Sequence, residues 1–175
     1  MVPLLGWRSS VAKIYSFCLA VAFGAAIAIG FWTIFPSFGA ISVYDLPPAL
    51  VAHTPLALDP QYAHELEQLL ANGPGFITPA HLKGLIGFPS FHAVLALLVT
   101  WYVRDLKYVR WPVLGLNLVI LIATPIQGGH HVIDVVAGFA VAALSVVLAE
   151  KVMALAARGR IPVFSPAFSG ANTPV

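Results

Sequence analysis

At 175 residues, with 59% hydrophobic and 9% charged residues and a mean hydropathy of +0.90, the chain lies far from soluble domains, in which roughly a quarter of residues are charged. It reads as an integral membrane protein of one bundle. The net charge of +2 is spread over small basic clusters separated by apolar runs, which gives no support to a nucleic-acid interface, and the lone Cys18 inside an apolar run excludes a disulfide or a cysteine metal site.

In chain order, the first expected span is 14–35, uncharged and preceded by Arg8 and Lys13. Its roughly 22 residues match a bilayer crossing and exceed the 7 to 15 residue core of a signal peptide, so an anchor is the preferred reading. An outer segment, 36–84, follows. Phe35-Pro36-Ser37-Phe38 and Leu46-Pro47-Pro48 suit irregular chain at an interface. Asp59-Pro60 then gives an N-cap and a proline at the first helical position, predicting a helix through about Ala71. Tyr62, Leu66, Leu69 and Leu70 can share one face of it, with Glu65 and Glu67 acidic, as in a helix lying on the membrane or capping the bundle. Asn72-Gly73-Pro74-Gly75 stops it, and Thr78-Pro79 starts a short helix toward Lys83.

Three further spans are expected at 85–103, 111–126 and 132–155, the third span of the chain being short. The expected class is therefore an all-α polytopic transmembrane bundle of four spans, one domain over 1–160, with a flexible cytoplasmic tail at 161–175. With the N-terminus in the cytoplasm, eight of nine basic residues obey the positive-inside rule and all six histidines fall on the outer side. Both termini are then cytoplasmic, and the histidines face an extracytoplasmic or luminal compartment.

Two polar islands interrupt the apolar sequence where helices should begin. In Gly87-Phe88-Pro89-Ser90-Phe91-His92, Ser90 is placed to cap a helix, near backbone N–H groups that favour an anion, and His92 falls in the first turn. Alone, this pattern is equally a helix start with a histidine reaching for headgroups. In Gly128-Gly129-His130-His131-Val132-Ile133-Asp134, His130 and Asp134 are spaced to share a helix face, so that the carboxylate orients the imidazole as a nucleophile or base. Gly128 and Gly129 leave an open approach for a substrate. The plain alternative is a structural His–Asp pair closing the bundle. A metal is disfavoured, because adjacent His130 and His131 diverge by about 100° on a helix.

Phe88-Pro89-Ser90-Phe91-His92 resembles the second signature motif of the type 2 phosphatidic acid phosphatase superfamily, and the Gly128–Asp134 island resembles its third. The His-aromatic-x-x-Asp form is similar to the branch containing inositol phosphorylceramide synthase and sphingomyelin synthase, with His131 where tyrosine is common. The resemblance covers about 83–155. It implies a phosphohistidine mechanism: His130 as nucleophile, Asp134 orienting it, His92 as general acid, and Ser90 bonding a phosphoryl oxygen, with no cofactor. Water resolving the intermediate gives a phosphatase; an alcohol headgroup gives a transferase.

The chain departs from the family pattern in its cations. Ala123 and Thr124 stand where many members have Ser-Arg, and no Arg-Pro pair of the first motif exists. Lys83 is the one basic residue on the outer side, and an active site requires it near the histidines. The family's six-helix core also exceeds four spans, so a second copy or partner subunit completes the cleft, the chain is a shortened member, or the outer segment substitutes. The expected substrate is a phosphorylated membrane lipid, with an alcohol headgroup as acceptor. A lipid phosphate phosphatase and a noncatalytic lipid-binding member stay open.

Overall fold

The computed structural model describes residues 11–40, 43, 44, 47, 49, 53, 62–73 and 86–159. Among them the regular structure is helical, without strands: α1 (Val11–Ile34), α2 (Tyr62–Asn72), α3 (Phe91–Val103), α4 (Arg110–Ile126) and α5 (Val132–Ala157). The chain is all-α. Lys83, the helix starts at Asp59-Pro60 and Thr78-Pro79, and the 161–175 tail lie outside the described residues.

Helices α1 and α5, with 24 and 26 residues, are long and apolar enough to cross a membrane. Helices α3 and α4 are apolar but have 13 and 17 residues, about 20 and 26 Å at 1.5 Å per residue, short of a hydrocarbon core of about 30 Å. Two of the four expected spans thus have the length of a crossing. The expected 85–103 span loses its first turn and a half because Pro89 and Ser90 hold an irregular lead-in, and the helix starts only at Phe91. Its cap is Ser90, whose hydroxyl accepts the Ala93 N–H at 3.4 Å.

The stops are glycine-based. Gly73, at φ +69°, follows the last residue of α2, and Gly128, at φ +77°, follows the Gln127 cap of α4. This left-handed conformation is one that side chains with a Cβ resist. Along α2, Glu67 and Leu70 are exposed and Leu69 half-buried, while the side chains of Tyr62 and Leu66 are outside the described set. α2 makes no extensive contact with the other described helices, which leaves, of the two expected placements, the helix lying on the membrane rather than the cap over the bundle.

Helices α1, α3 and α5 pack against one another around Phe17, Ala20, Val94, Leu98, Tyr102, Ala142, Val146 and Ala149. Small residues make the crossings close. Ala20, Gly24 and Ala28 form the buried stripe of α1, and Gly138, Ala142, Ser145 and Ala149 that of α5. Such stripes let helix backbones approach where lipid supplies no hydrophobic drive. A Cβ at Gly24 would come within 2.8 Å of Val94 Cγ1, and one at Gly138 within 2.7 Å of the Ser90 carbonyl oxygen. α4 lies against α3 and barely touches α5. It is pinned by buried Asn117, whose amide donates to the Ala96 carbonyl at 2.8 Å and the Thr100 hydroxyl at 2.7 Å.

Around this apolar core the bundle differs from a water-soluble fold in its exterior, which is apolar as well, and in the polar groups it buries. Ser90, Asn117, His130, Asp134 and Ser145 are buried, whereas Ile29, Leu118, Ile122, Val136 and Leu144 are exposed. That distribution fits a surface facing lipid. The helices alternate in direction, which separates two ends. One joins the end of α1 to the starts of α3 and α5, with Phe31 against Phe88 at 5.0 Å between ring centroids. The other joins the start of α1 to the end of α3 through Lys13–Asp105 at 2.8 Å and Ser16–Tyr102 at 2.7 Å.

Candidate active site

Both polar islands fall at the first of these ends. The starts of α3 and α5 are tied by backbone, because the Ser90 N–H donates to the Asp134 carbonyl oxygen at 3.0 Å. Two helix N-termini therefore meet at one place, each with free N–H groups and a positive dipole end.

The local start of α5 differs from the i,i+4 reading. His131, extended at φ −81° and ψ 158°, is the N-cap, so the helix begins at Val132 and His130 lies before it. The spacing of His130 and Asp134 does not place them on one helical face. Instead the Asp134 carboxylate turns back to accept the His131 backbone N–H at 2.6 Å. Its Oδ2 sits 3.7 Å from His130 Nδ1, beyond hydrogen-bond distance.

The group that orients His130 is a backbone carbonyl. His130 Nδ1 lies 2.6 Å from the Gly87 carbonyl oxygen. A carbonyl can only accept, so Nδ1 carries the hydrogen and, in the neutral ring, Nε2 keeps its lone pair. That lone pair faces His92, whose Nδ1 is 3.3 Å away. His92 must then be the donor, through an N–H that the neutral Nδ1 tautomer and the imidazolium both possess. His130 is 5% exposed and Asp134 3%, while His92 is open to the surroundings. The first ring is held in place and the second is accessible.

Of the expected site residues, His92, His130 and Asp134 are brought together. Ser90 lies beneath them, fully buried, with its hydroxyl engaged by the Ala93 N–H. Gly128 and Gly129 lead into His130, but the Gly128 N–H donates to the Pro125 carbonyl at 3.1 Å, closing the end of α4. Lys83 lies outside the described residues, and no Lys or Arg among the described residues is at this end of the bundle. Nor, among the described residues, is any group of three His, Cys, Asp or Glu gathered as a metal site requires.

Sequence reasoning did not single out the residues that brace this cluster. The Ser37 hydroxyl accepts the Phe88 N–H at 2.6 Å and so holds the chain that presents the Gly87 carbonyl. A Cβ on Gly87 would lie 2.8 Å from the Ser37 backbone oxygen, and one on Gly39 would lie 2.8 Å from the Gly129 oxygen. The 37–39 strap therefore crosses both islands at backbone distance. Tyr44 adds an edge contact to the His131 ring, at 5.8 Å between centroids. The available signal was the proline-rich stretch holding Ser37, and it indicated only irregular chain at an interface.

A fixed imidazole with an unprotonated Nε2, an accessible second imidazole beside it and two helix N-termini can perform nucleophilic attack, proton delivery and anion binding. The chain matches the family model described as the PAP2 superfamily over residues 1–148, a stretch that contains the entire cluster. No curated protein and no solved structure matches it. With paired islands meeting at one end of an apolar bundle and a family match over most of its length, the chain belongs to the PAP2 superfamily.

Proposed function

We propose that the protein is a membrane phosphotransferase that acts on phospholipid headgroups through a phosphohistidine intermediate. The observation that carries this reading is the tautomer of His130, set by the Gly87 carbonyl, which aims an unprotonated Nε2 at the position His92 occupies. In the first step Nε2 attacks phosphorus. The P–N bond forms, the P–O bond to the departing group breaks, and protonated His92 gives its proton to the departing oxygen. Asp134, 3.7 Å from Nδ1, stabilises the charge that develops on the ring. In the second step an alcohol hydroxyl attacks phosphorus, the P–N bond breaks, and the hydroxyl proton returns to His92.

The converging starts of α3 and α5 supply partial positive charge for the phosphoryl oxygens, and Lys83 is the nearest cation in the sequence to add to it. Ser90 offers its hydroxyl hydrogen from below. The substrate is an amphiphile, since the site opens beside an apolar exterior on which acyl chains can remain. The His-x-x-x-Asp island preceded by Gly-Gly, together with Ala123 and Thr124 in place of Ser-Arg, favours the headgroup-transferase branch. A lipid phosphate phosphatase of the same superfamily is the second reading, favoured by the accessible His92, beside which water can replace the alcohol.

We place the histidine end outside the cytoplasm. Every Lys and Arg among the described residues lies at the opposite end or in its connections, as the positive-inside rule requires of a cytoplasmic face. In this topology α3 and α4 complete their crossings with flanking chain, giving four spans, and a second copy or partner subunit covers the remaining cleft.

The test is headgroup exchange and phosphate release from labelled phospholipids by the protein in liposomes, beside His130→Ala. Activity that falls more than about a thousandfold in the variant supports the phosphohistidine route. Equal activity of both proteins would overturn it. The labelled product separates transferase from phosphatase.

A further inference from the structure

The opposite end of the bundle carries a second site. Between α3 and α5 lies a groove of about 550 Å³, lined along its length by apolar side chains such as Leu97, Phe139 and Val147. The volume falls within the range of small-ligand sites. Its polar end is formed by Arg104 and Glu150. Arg104 follows the last residue of α3, so 12 residues, or about 18 Å of helix rise, separate it from His92. The groove is not an extension of the histidine cluster.

The cation at its mouth is held in place. Its guanidinium lies 3.8 Å from the Trp101 ring centroid, and its Nη1 donates to the Trp101 carbonyl at 2.9 Å. The same connection repeats the pairing. Lys107 stacks on Tyr108 at 5.8 Å and Arg110 on Trp111 at 4.9 Å. All six of these side chains are exposed. Basic residues paired with interfacial aromatics in one short stretch form a headgroup-level belt, in which each cation adds to the attraction toward an anionic surface. Asp105 offsets only part of this charge, because one carboxylate is shared between two cations: Lys13 Nζ at 2.8 Å from Oδ2 and Arg104 Nε at 3.9 Å from Oδ1.

We infer that the α3–α5 groove binds an anionic phospholipid, one acyl chain lying between Leu97, Phe139 and Val147 and the phosphate resting on Arg104. Charge complementarity selects this occupant. An apolar trough ending at a preorganised guanidinium, beside Lys107 and Arg110, matches a tail joined to a phosphate. Glu150 across the mouth accepts a hydrogen bond from a headgroup hydroxyl. Binding here anchors the end of the bundle remote from the histidines and is independent of phosphoryl transfer.

The test uses the full chain in detergent, titrated with dioleoyl phosphatidylglycerol or dioleoyl phosphatidylcholine and read by native mass spectrometry. Phosphatidylglycerol is expected to be retained preferentially, with Arg104→Gln reducing that preference about fivefold. Ala143→Phe, which places a ring in the groove from an exposed lining position, is expected to reduce retention of both lipids. His130→Ala is expected to leave retention unchanged, which separates this site from the catalytic reading. Equal retention of the two lipids by the unaltered protein, or retention unaffected by both groove variants, would overturn the inference. So would a dimer dissociated by Ala143→Phe with lipid retention intact, since a second copy would then be the occupant.

Discussion

The two ends of the bundle use polar side chains in opposite ways. At the histidine end they are buried and bonded to one another: His130 to the Gly87 carbonyl, Asp134 to the His131 N–H, Ser90 to the start of α3. At the other end Arg104, Lys107 and Arg110 are exposed and stacked on aromatic rings. Buried polar groups cost several kcal/mol unless each finds a partner, so the first arrangement fixes geometry. Exposed cations over rings keep their hydration while the rings hold them at the surface, which suits an interface. One end is built for position and the other for attachment.

Substitutions at the two ends should therefore differ in both size and kind. After His130→Ala, the largest effect is expected from Asp134→Asn, which keeps an oxygen for the His131 N–H but removes the charge beside His130. Transfer should fall by about a hundredfold with little change in retained lipid, measured by headgroup exchange. A loss of under threefold would show that the Gly87 carbonyl alone suffices. Gly138→Ala comes next. Its new methyl group would approach the Ser90 oxygen at 2.7 Å and Ala93 Cβ at 2.8 Å, forcing α3 from α5. A destabilisation of about 2 kcal/mol is expected from unfolding in detergent. Ser37→Ala should cost about 1 kcal/mol by leaving the Phe88 N–H without its acceptor. It should also lower activity several-fold, because the Gly87 carbonyl loses its brace.

The smallest effect belongs to the attachment end. The hydrogen bond from Lys13, reinforced by its charge, holds the Asp105 carboxyl below the usual carboxylate range. A depressed folded value means that stabilisation is fully present above the unfolded value of about 3.9 and disappears as pH falls through the lower folded value. The melting-temperature difference between the protein and Asp105→Asn should accordingly be small, constant above about pH 5, and lost in stronger acid. A difference that persists after full protonation would assign the effect to packing.

The sequence made the helices and the islands legible because each is local. Apolar runs bounded by Pro89-Ser90 and Gly128-Gly129 announce where α3 begins and α4 stops, and Gly73 announces the end of α2. Less could be read of how His130 is held. Its spacing from Asp134 suggested one helix face, but helix initiation at Val132 put His130 on extended chain, where Gly87, 43 residues earlier, reaches Nδ1 first. The 37–39 strap was illegible for the same reason. Gly39 matters because the Gly129 oxygen lies against it, a relation with no sequence period and no local cap to betray it. Length was also deceptive: hydropathy continued through Leu85 and Ile86, while the helix of the second expected span waited for Phe91.

The close crossing at Gly138 reaches beyond packing. With the Ser90 backbone seated directly on α5, the separation between His92 and His130 is set by contact of main chain on main chain rather than by long side chains that lipid pressure can splay. Thickening or thinning of the surrounding bilayer changes helix tilt at a cost of fractions of a kcal/mol per ångström. At this crossing such a change would rotate α3 and α5 as a unit. The spacing of the two rings is thereby insulated from the mechanical state of the surrounding bilayer.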